Sequence, residues 1–204
     1  MLYKLKATRY GGTMIRFEEL QMRIMDAAKN YLDVYDMSTY IEQYSLNKES
    51  KLLMTLPEIK PPYPISAAVS FSYNALQTSS SFLYDEDEEE QDSEEFENMV
   101  EIEVVINLPF LEGYNNINEL FEEIVNEHPE LDLVLVKKEF IGKDLMEEDK
   151  YEIAYSYPAS QEELKDLQFY EEMFFELSNI LRTIYERMRF YIDMSWYSAE
   201  DETF

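Results

Sequence analysis

One histidine, four glycines and no cysteine limit the chemistry open to this 204-residue chain. Disulfides, thiolate metal sites and cysteine nucleophiles are excluded, and a lone histidine cannot supply a His–His metal pair. His128 precedes Pro129 at the end of a predicted helix. The plain reading there is a surface imidazole favoured by the helix dipole, ahead of a Ser-His-Asp triad. Gly11, Gly12, Gly113 and Gly142 are too scattered for a phosphate-cradling loop or a nucleophile elbow. No cofactor is expected.

Carboxylates are the abundant reactive group, with 44 Asp and Glu against 17 Lys and Arg, a net charge of −27. Such numbers make paired-acid catalysis easy to draw and hard to argue. A metal-dependent nuclease could be sketched from Glu58, Ile59 and Lys60, or from Asp132 with Lys137 and Lys138, but these spacings arise by chance. The long-range field would also repel a polyanionic substrate, so direct nucleic-acid or anionic-membrane binding is not expected. The tract from Asp85 fails as an EF-hand, since Glu90 stands where glycine is required and Phe96 where the bidentate glutamate belongs.

The charge is unevenly spread. Residues 1–84 hold nine bases and eight acids, whereas residues 85–204 hold eight and 36. Asp85, Glu86, Asp87, Glu88, Glu89, Glu90, Asp92, Glu94, Glu95 and Glu97 form a run without a base. Without that run, residues 98–204 still carry −18, with 26 acids and eight bases. The run reads either as a solvated loop held extended by repulsion or as a docking surface for a basic partner.

Stepping from these residues to the elements that hold them, residues 2–9 alternate loosely as a strand before Gly11 and Gly12. Apolar residues from Phe17 to Tyr35 follow a helical period within Met14–Asp36, and Ser38 is placed to cap a short helix ending at Tyr44. Leu52–Leu56 reads as a short strand, followed by an extended connector through Pro57, Pro61, Pro62 and Pro64. Ile65, Ala67, Val69, Phe71 and Tyr73 alternate with small residues as a strand, which a turn near Asn74 would return through Leu76–Tyr84. Residues 61–84 are uncharged and long enough to consider as a membrane span, but their six serines and their alternation favour strands. Val100, Ile102, Val104, Ile106 and Leu108 define another strand. Asn116 with Glu119 suggests a capped helix bearing Ile117, Leu120, Phe121, Ile124 and Val125. Strands at Leu131–Phe140 and Tyr151–Tyr157 follow, joined near Gly142.

The last element opens on a capping box, Ser160 with Glu163. Leu167, Tyr170, Phe174, Leu177, Leu181, Ile184, Met188 and Tyr191 then recur in heptad register. Met173, Ile180 and Tyr185 widen the stripe, which favours a helix lying on a sheet over a free coiled coil. A helix from Ser160 to Trp196 would be roughly 55 Å long, beyond the roughly 43 Å diameter of a compact domain of this size. It must break, project or be covered, so Leu181, Ile184, Met188 and Tyr191 are candidate self-association residues and a homo-oligomer is an open reading.

These elements predict one α+β domain over residues 1–204, with an acidic loop at 85–97 between strands. Its mixed or mainly antiparallel sheet has about five to seven strands, packed by an N-terminal helix and a long C-terminal helix. With no apolar leader segment, the expected setting is soluble and cytoplasmic. The expected function is non-enzymatic: an acidic protein that docks on a basic surface of a partner, such as a nucleic-acid-binding enzyme or a basic toxin. Immunity, counter-defence, inhibitor and nucleic-acid-mimic proteins share this composition. The expected partner-binding residues are the tract acids together with Glu162, Glu163, Asp166, Glu171, Glu172 and Glu176, whose spacing along a helix approaches that of phosphates on one DNA strand. The alternative is a structural or assembly subunit joined through the heptad helix.

Overall fold

The computed structural model describes residues 15–32, 34, 36–44, 47–55, 65–74, 99–108, 113–141 and 147–201. The expected strands at 2–9 and 76–84 and the acidic tract at 85–97 lie outside them.

Helix α1 (Phe17–Tyr31) buries Phe17, Leu20, Ile24, Ala27 and Ala28, residues spaced to share one face. It is shorter than its sequence pattern suggested, because Leu32 is already extended. The short helix expected after Ser38 is instead strand β1 (Asp36–Tyr44). Thr39, Tyr40, Ile41 and Tyr44 favour an extended backbone, and a helix of under ten residues is marginal without strong packing. Continuous pairing with β2 (Asn47–Thr55) decides the matter. That partner is longer than the Leu52–Leu56 expectation.

Strands β3 (Ser66–Asn74) and β4 (Val100–Asn107) follow the alternation of the sequence. The acidic tract therefore falls within the β3–β4 connection. Helix α2 (Ile117–Glu127) starts at Asn116, but no side-chain capping bond forms there, so the expected capping box is absent. Strand β5 (Val134–Ile141) starts later than expected, after a turn in which Leu131 N–H donates to the His128 carbonyl at 3.2 Å.

Strand β6 (Glu147–Ala159) outlasts its expected span in both directions because it pairs with β4 and β5. Pro158 is tolerated near its end: β5 stops at Val134, opposite Ala154, leaving one side of β6 without a neighbour there. The sheet is wholly antiparallel, in the order β1-β2-β3-β4-β6-β5.

The second capping box does form. Ser160 N–H donates to Glu163 Oε2 at 2.8 Å, and Glu163 N–H donates to Ser160 Oγ at 3.3 Å. It closes the turn that leads into a 3-10 segment (Glu163–Lys165) rather than the start of the long helix, since Asp166 is extended and α3 begins at Leu167. Helix α3 runs unbroken from Leu167 to Asp201, 35 residues or about 52 Å.

One hydrophobic core unites α1, α2, α3 and one face of the sheet. Tyr170, Met173, Phe174, Leu177, Ile180, Leu181, Ile184 and Met188 are all buried, so the wide stripe of α3 covers the sheet. Leu167 opens the heptad series yet is 65% exposed. No helix among the described residues is long and apolar enough to cross a membrane.

Candidate binding face

Because side chains alternate along a strand, the register sorts every residue onto one of two faces. Leu52, Val69, Val104 and Tyr155 lie side by side across β2, β3, β4 and β6, all buried towards the helices. One residue along, Lys51, Ser70, Glu103 and Ser156 form the adjacent row on the opposite face. The row beyond is apolar: Leu53, Ala68, Val105, Ala154 and Val134. Among the described residues, no element covers this second face.

The uncovered face is concave. Its central strand offers only small side chains there (Ser66, Ala68, Ser70 and Ser72), while β2 and β4 offer glutamates. Ala68 and Ser70 are buried although no helix lies above them. Ser70 Oγ donates to Glu103 Oε2 at 3.1 Å, fixing one carboxylate over the floor. The resulting concavity of about 480 Å³ is lined by the carboxylates of Glu49, Glu101, Glu103 and Asp132, with Ser70, Ser72, Ser156, Ala154 and Val134 between them. Among the described residues no lysine or arginine lines it, although Lys51 stands beside Ser70 in the register. Such a surface can accept hydrogen bonds from, and attract, a cationic group.

A second concavity, about 610 Å³, separates α2 from α3. It too is rich in acids, with Glu119, Glu122, Glu123 and Glu127, but a base, Arg187, stands among them. Arg187 donates from Nε and Nη2 to both carboxylate oxygens of Glu123, at 2.7 and 2.6 Å. That bidentate bond holds the guanidinium above its usual pKa. Thr183 Oγ1 donates to Glu127 at 3.0 Å. Tyr114 and Tyr191 meet edge-to-face at 5.1 Å. This second hollow ties two helices together, whereas the sheet concavity presents its acids outward.

Between sheet and helix lies a polar pair enclosed by apolar residues. The Tyr157 hydroxyl donates to Glu176, and the neighbouring Tyr155 hydroxyl has no hydrogen-bond partner among the described residues. Burial is the first cause raising both phenols far above their ordinary pKa.

The expected site residues separate under this geometry. Glu162, Glu163 and Asp166 precede α3, so they do not share a helix with Glu171, Glu172 and Glu176. Glu163 completes the capping box, Asp166 accepts from Gln168 N–H at 3.0 Å, and Glu172 accepts from Gln168 Nε2 at 2.7 Å. Glu171 bonds Tyr31, and Glu176 turns inwards to Tyr157. The six acids thus form no single row of phosphate-like spacing. Leu181, Ile184 and Met188 are buried in the chain's own core and Tyr191 is partly so. His128 is buried rather than on the surface, its Nδ1 3.6 Å from Glu130, because the turn after α2 folds back beside it. Among the described residues, no three His, Asp or Glu side chains gather in a way that could hold a metal ion.

The residues missed from sequence are those of the uncovered face, Glu49, Glu101, Glu103 and Asp132. The alternation of Glu101 and Glu103 with core residues was visible, but only the strand order brings their strand together with Glu49 and Asp132. Comparison with protein-family models, curated proteins and solved structures gave no match.

Proposed function

We propose that this chain is a non-enzymatic acidic binding protein, acting in the cytoplasm, that docks on a basic surface of a partner protein. The observation supporting this reading is the concave sheet face, where four carboxylates from three segments converge with no lysine or arginine among the described residues that line it. The apolar row through Ala154 and Val134 adds a floor that a cationic segment can cover with its aliphatic stems. Proteins that present such segments include nucleic-acid-binding enzymes and basic toxins, and masking one of them would make this chain an inhibitor.

Affinity purification at low salt, with mass spectrometry of co-eluting proteins, tests the proposal. The expected partner is basic, and its affinity falls steeply between ~50 and ~200 mM salt. A partner retained unchanged in molar salt would remove the support for a charge-led complex.

A further inference from the structure

The sheet has two edges among the described residues, β1 and β5, and they differ in how they meet solvent. An exposed edge invites pairing with another chain, and lysines, prolines, bulges or short length usually discourage it. Strand β5 carries Lys137 and Lys138 at its centre. Strand β1 has nine residues with no lysine, arginine, proline or glycine, and pairs with β2 without a bulge. At its middle, Tyr40 is 55% and Ile41 51% exposed. Being consecutive, they open to opposite faces of the sheet.

We propose that β1 is the pairing edge of a two-fold dimer, joining two copies of this chain into one twelve-stranded sheet. Charge is compatible with a second copy at this edge. Strands β1, β2 and β3 together carry three acids and two bases, Asp36, Glu42 and Glu49 against Lys48 and Lys51. Helix α2 alone carries four acids and no base. Two molecules of net charge −27 therefore meet with less repulsion along β1 than across α2, once salt screens charges beyond about 8 Å.

The strand is also compatible with itself. Antiparallel pairing centred on Tyr40 sets Tyr40 against its copy, Ile41 against Thr39, Glu42 against Ser38 and Asp36 against Tyr44. No acid faces an acid. Ile41 lies on the helix side, two residues from Thr39, whose Oγ1 contacts Met25 sulfur at 3.8 Å. Pairing there extends the core layer and shields both isoleucines. A two-fold axis of this kind stands perpendicular to the sheet, so both concave faces look the same way. Their centres, near β4 in each copy, are about seven strand spacings or ~34 Å apart. The dimer is thus bivalent towards a partner with two basic sites.

Equilibrium sedimentation of the full chain, from micromolar to millimolar concentration, tests this directly. The expected result is a monomer–dimer equilibrium that tightens with added salt, the opposite of the salt response of partner docking. Register is tested at Ser38. Ser38→Glu puts two like-charged pairs opposite Glu42 across the dimer and weakens it, whereas Ser38→Lys creates two attractive pairs and strengthens it, each by about two- to thirtyfold. Tyr40→Cys adds the sole cysteine of the chain, and mild oxidation is expected to crosslink it to its copy. Far-UV circular dichroism of each variant verifies that the fold is retained. A monomer at every concentration overturns the proposal. So does a dimer indifferent to both Ser38 variants that does not crosslink through Tyr40→Cys.

Discussion

The two faces of the sheet use the same strands and reach opposite outcomes. In β4, Val100, Ile102, Val104 and Ile106 are buried under the helices, while Glu101 and Glu103 alternate with them and stay exposed. Strand β3 alternates its faces likewise, with Val69 and Phe71 towards the helices and the small Ser70 and Ser72 on the other side. The covered face excludes water through large side chains that fill the space below α1 and α3. The uncovered face does the reverse, keeping its side chains short at the centre and charged around it. Among the described residues no Asp or Glu is fully buried, which is how a protein of net charge −27 keeps the cost of its acids low on folding.

The contrast is most easily broken from the covered side. Phe174 is fully buried in α3, and Phe174→Ala should cost about 3–5 kcal/mol through lost burial and the cavity left behind. Urea denaturation followed by circular dichroism measures it. A cost near zero would mean that the packing of α3 on the sheet is not what holds the fold. On the uncovered face the expectation is inverted. Glu101→Lys with Glu103→Lys should leave the urea midpoint within about 0.5 kcal/mol of the parent. The same double reversal should weaken a basic partner by about a hundredfold, or ~2.7 kcal/mol. If partner affinity survives it, the concave face is not where the partner docks.

How much of this was legible in the sequence follows from the range of each interaction. Local periodicity located α1, β3, β4 and the stripe of α3, because burial of alternate or helically spaced residues leaves a direct trace. It failed at residues 38–44, where Ser38 resembled a cap but pairing with β2, a non-local partner, selected a strand. Asn116 and Glu119 had capping-box spacing without the capping bond, whereas Ser160 and Glu163 formed theirs over a 3-10 turn. The candidate site was less legible. Counting charge drew attention to the contiguous acids, but Glu49, the Glu101 and Glu103 pair of β4, and Asp132 are separated from one another by long stretches of chain. They meet only through the order β2-β3-β4-β6-β5.

Within the covered side, Tyr155 and Tyr157 sharpen the comparison further. They are adjacent inward positions of β6, in edge-to-face contact at 5.6 Å. The Tyr157 O–H donates a hydrogen bond to Glu176, while the Tyr155 hydroxyl is buried without a partner among the described residues. Removing a buried hydroxyl that bonds nothing relieves a desolvation cost, so Tyr155→Phe should be neutral or stabilising by up to about 1 kcal/mol. Tyr157→Phe should destabilise, by about 1–2 kcal/mol, because the Glu176 carboxylate loses its donor. Equal losses in the two variants would show that the hydroxyls are equivalent and that the structural distinction has no energetic weight.

The smallest expected effect lies where β6 leaves the sheet and the chain turns towards α3. The Ser160 backbone N–H, and then its hydroxyl, hold the Glu163 carboxyl below its ordinary pKa of 4.5. A depressed carboxyl stabilises the fold above its unfolded pKa, and that contribution fades as pH falls through the lower folded value. Ser160→Ala removes the hydroxyl but keeps the backbone donor, so the loss at neutral pH should be modest, about 0.5 kcal/mol. As pH falls below about 4 the gap between parent and variant should narrow, since a protonated Glu163 no longer attracts either donor strongly. Glu163→Gln should reduce that pH dependence while retaining an acceptor for the backbone. Urea midpoints for the three proteins from neutral to acidic pH provide the comparison. A gap that stays constant through the carboxylate range would assign the role of Ser160 to its own bond with Glu163 N–H, independent of the charge.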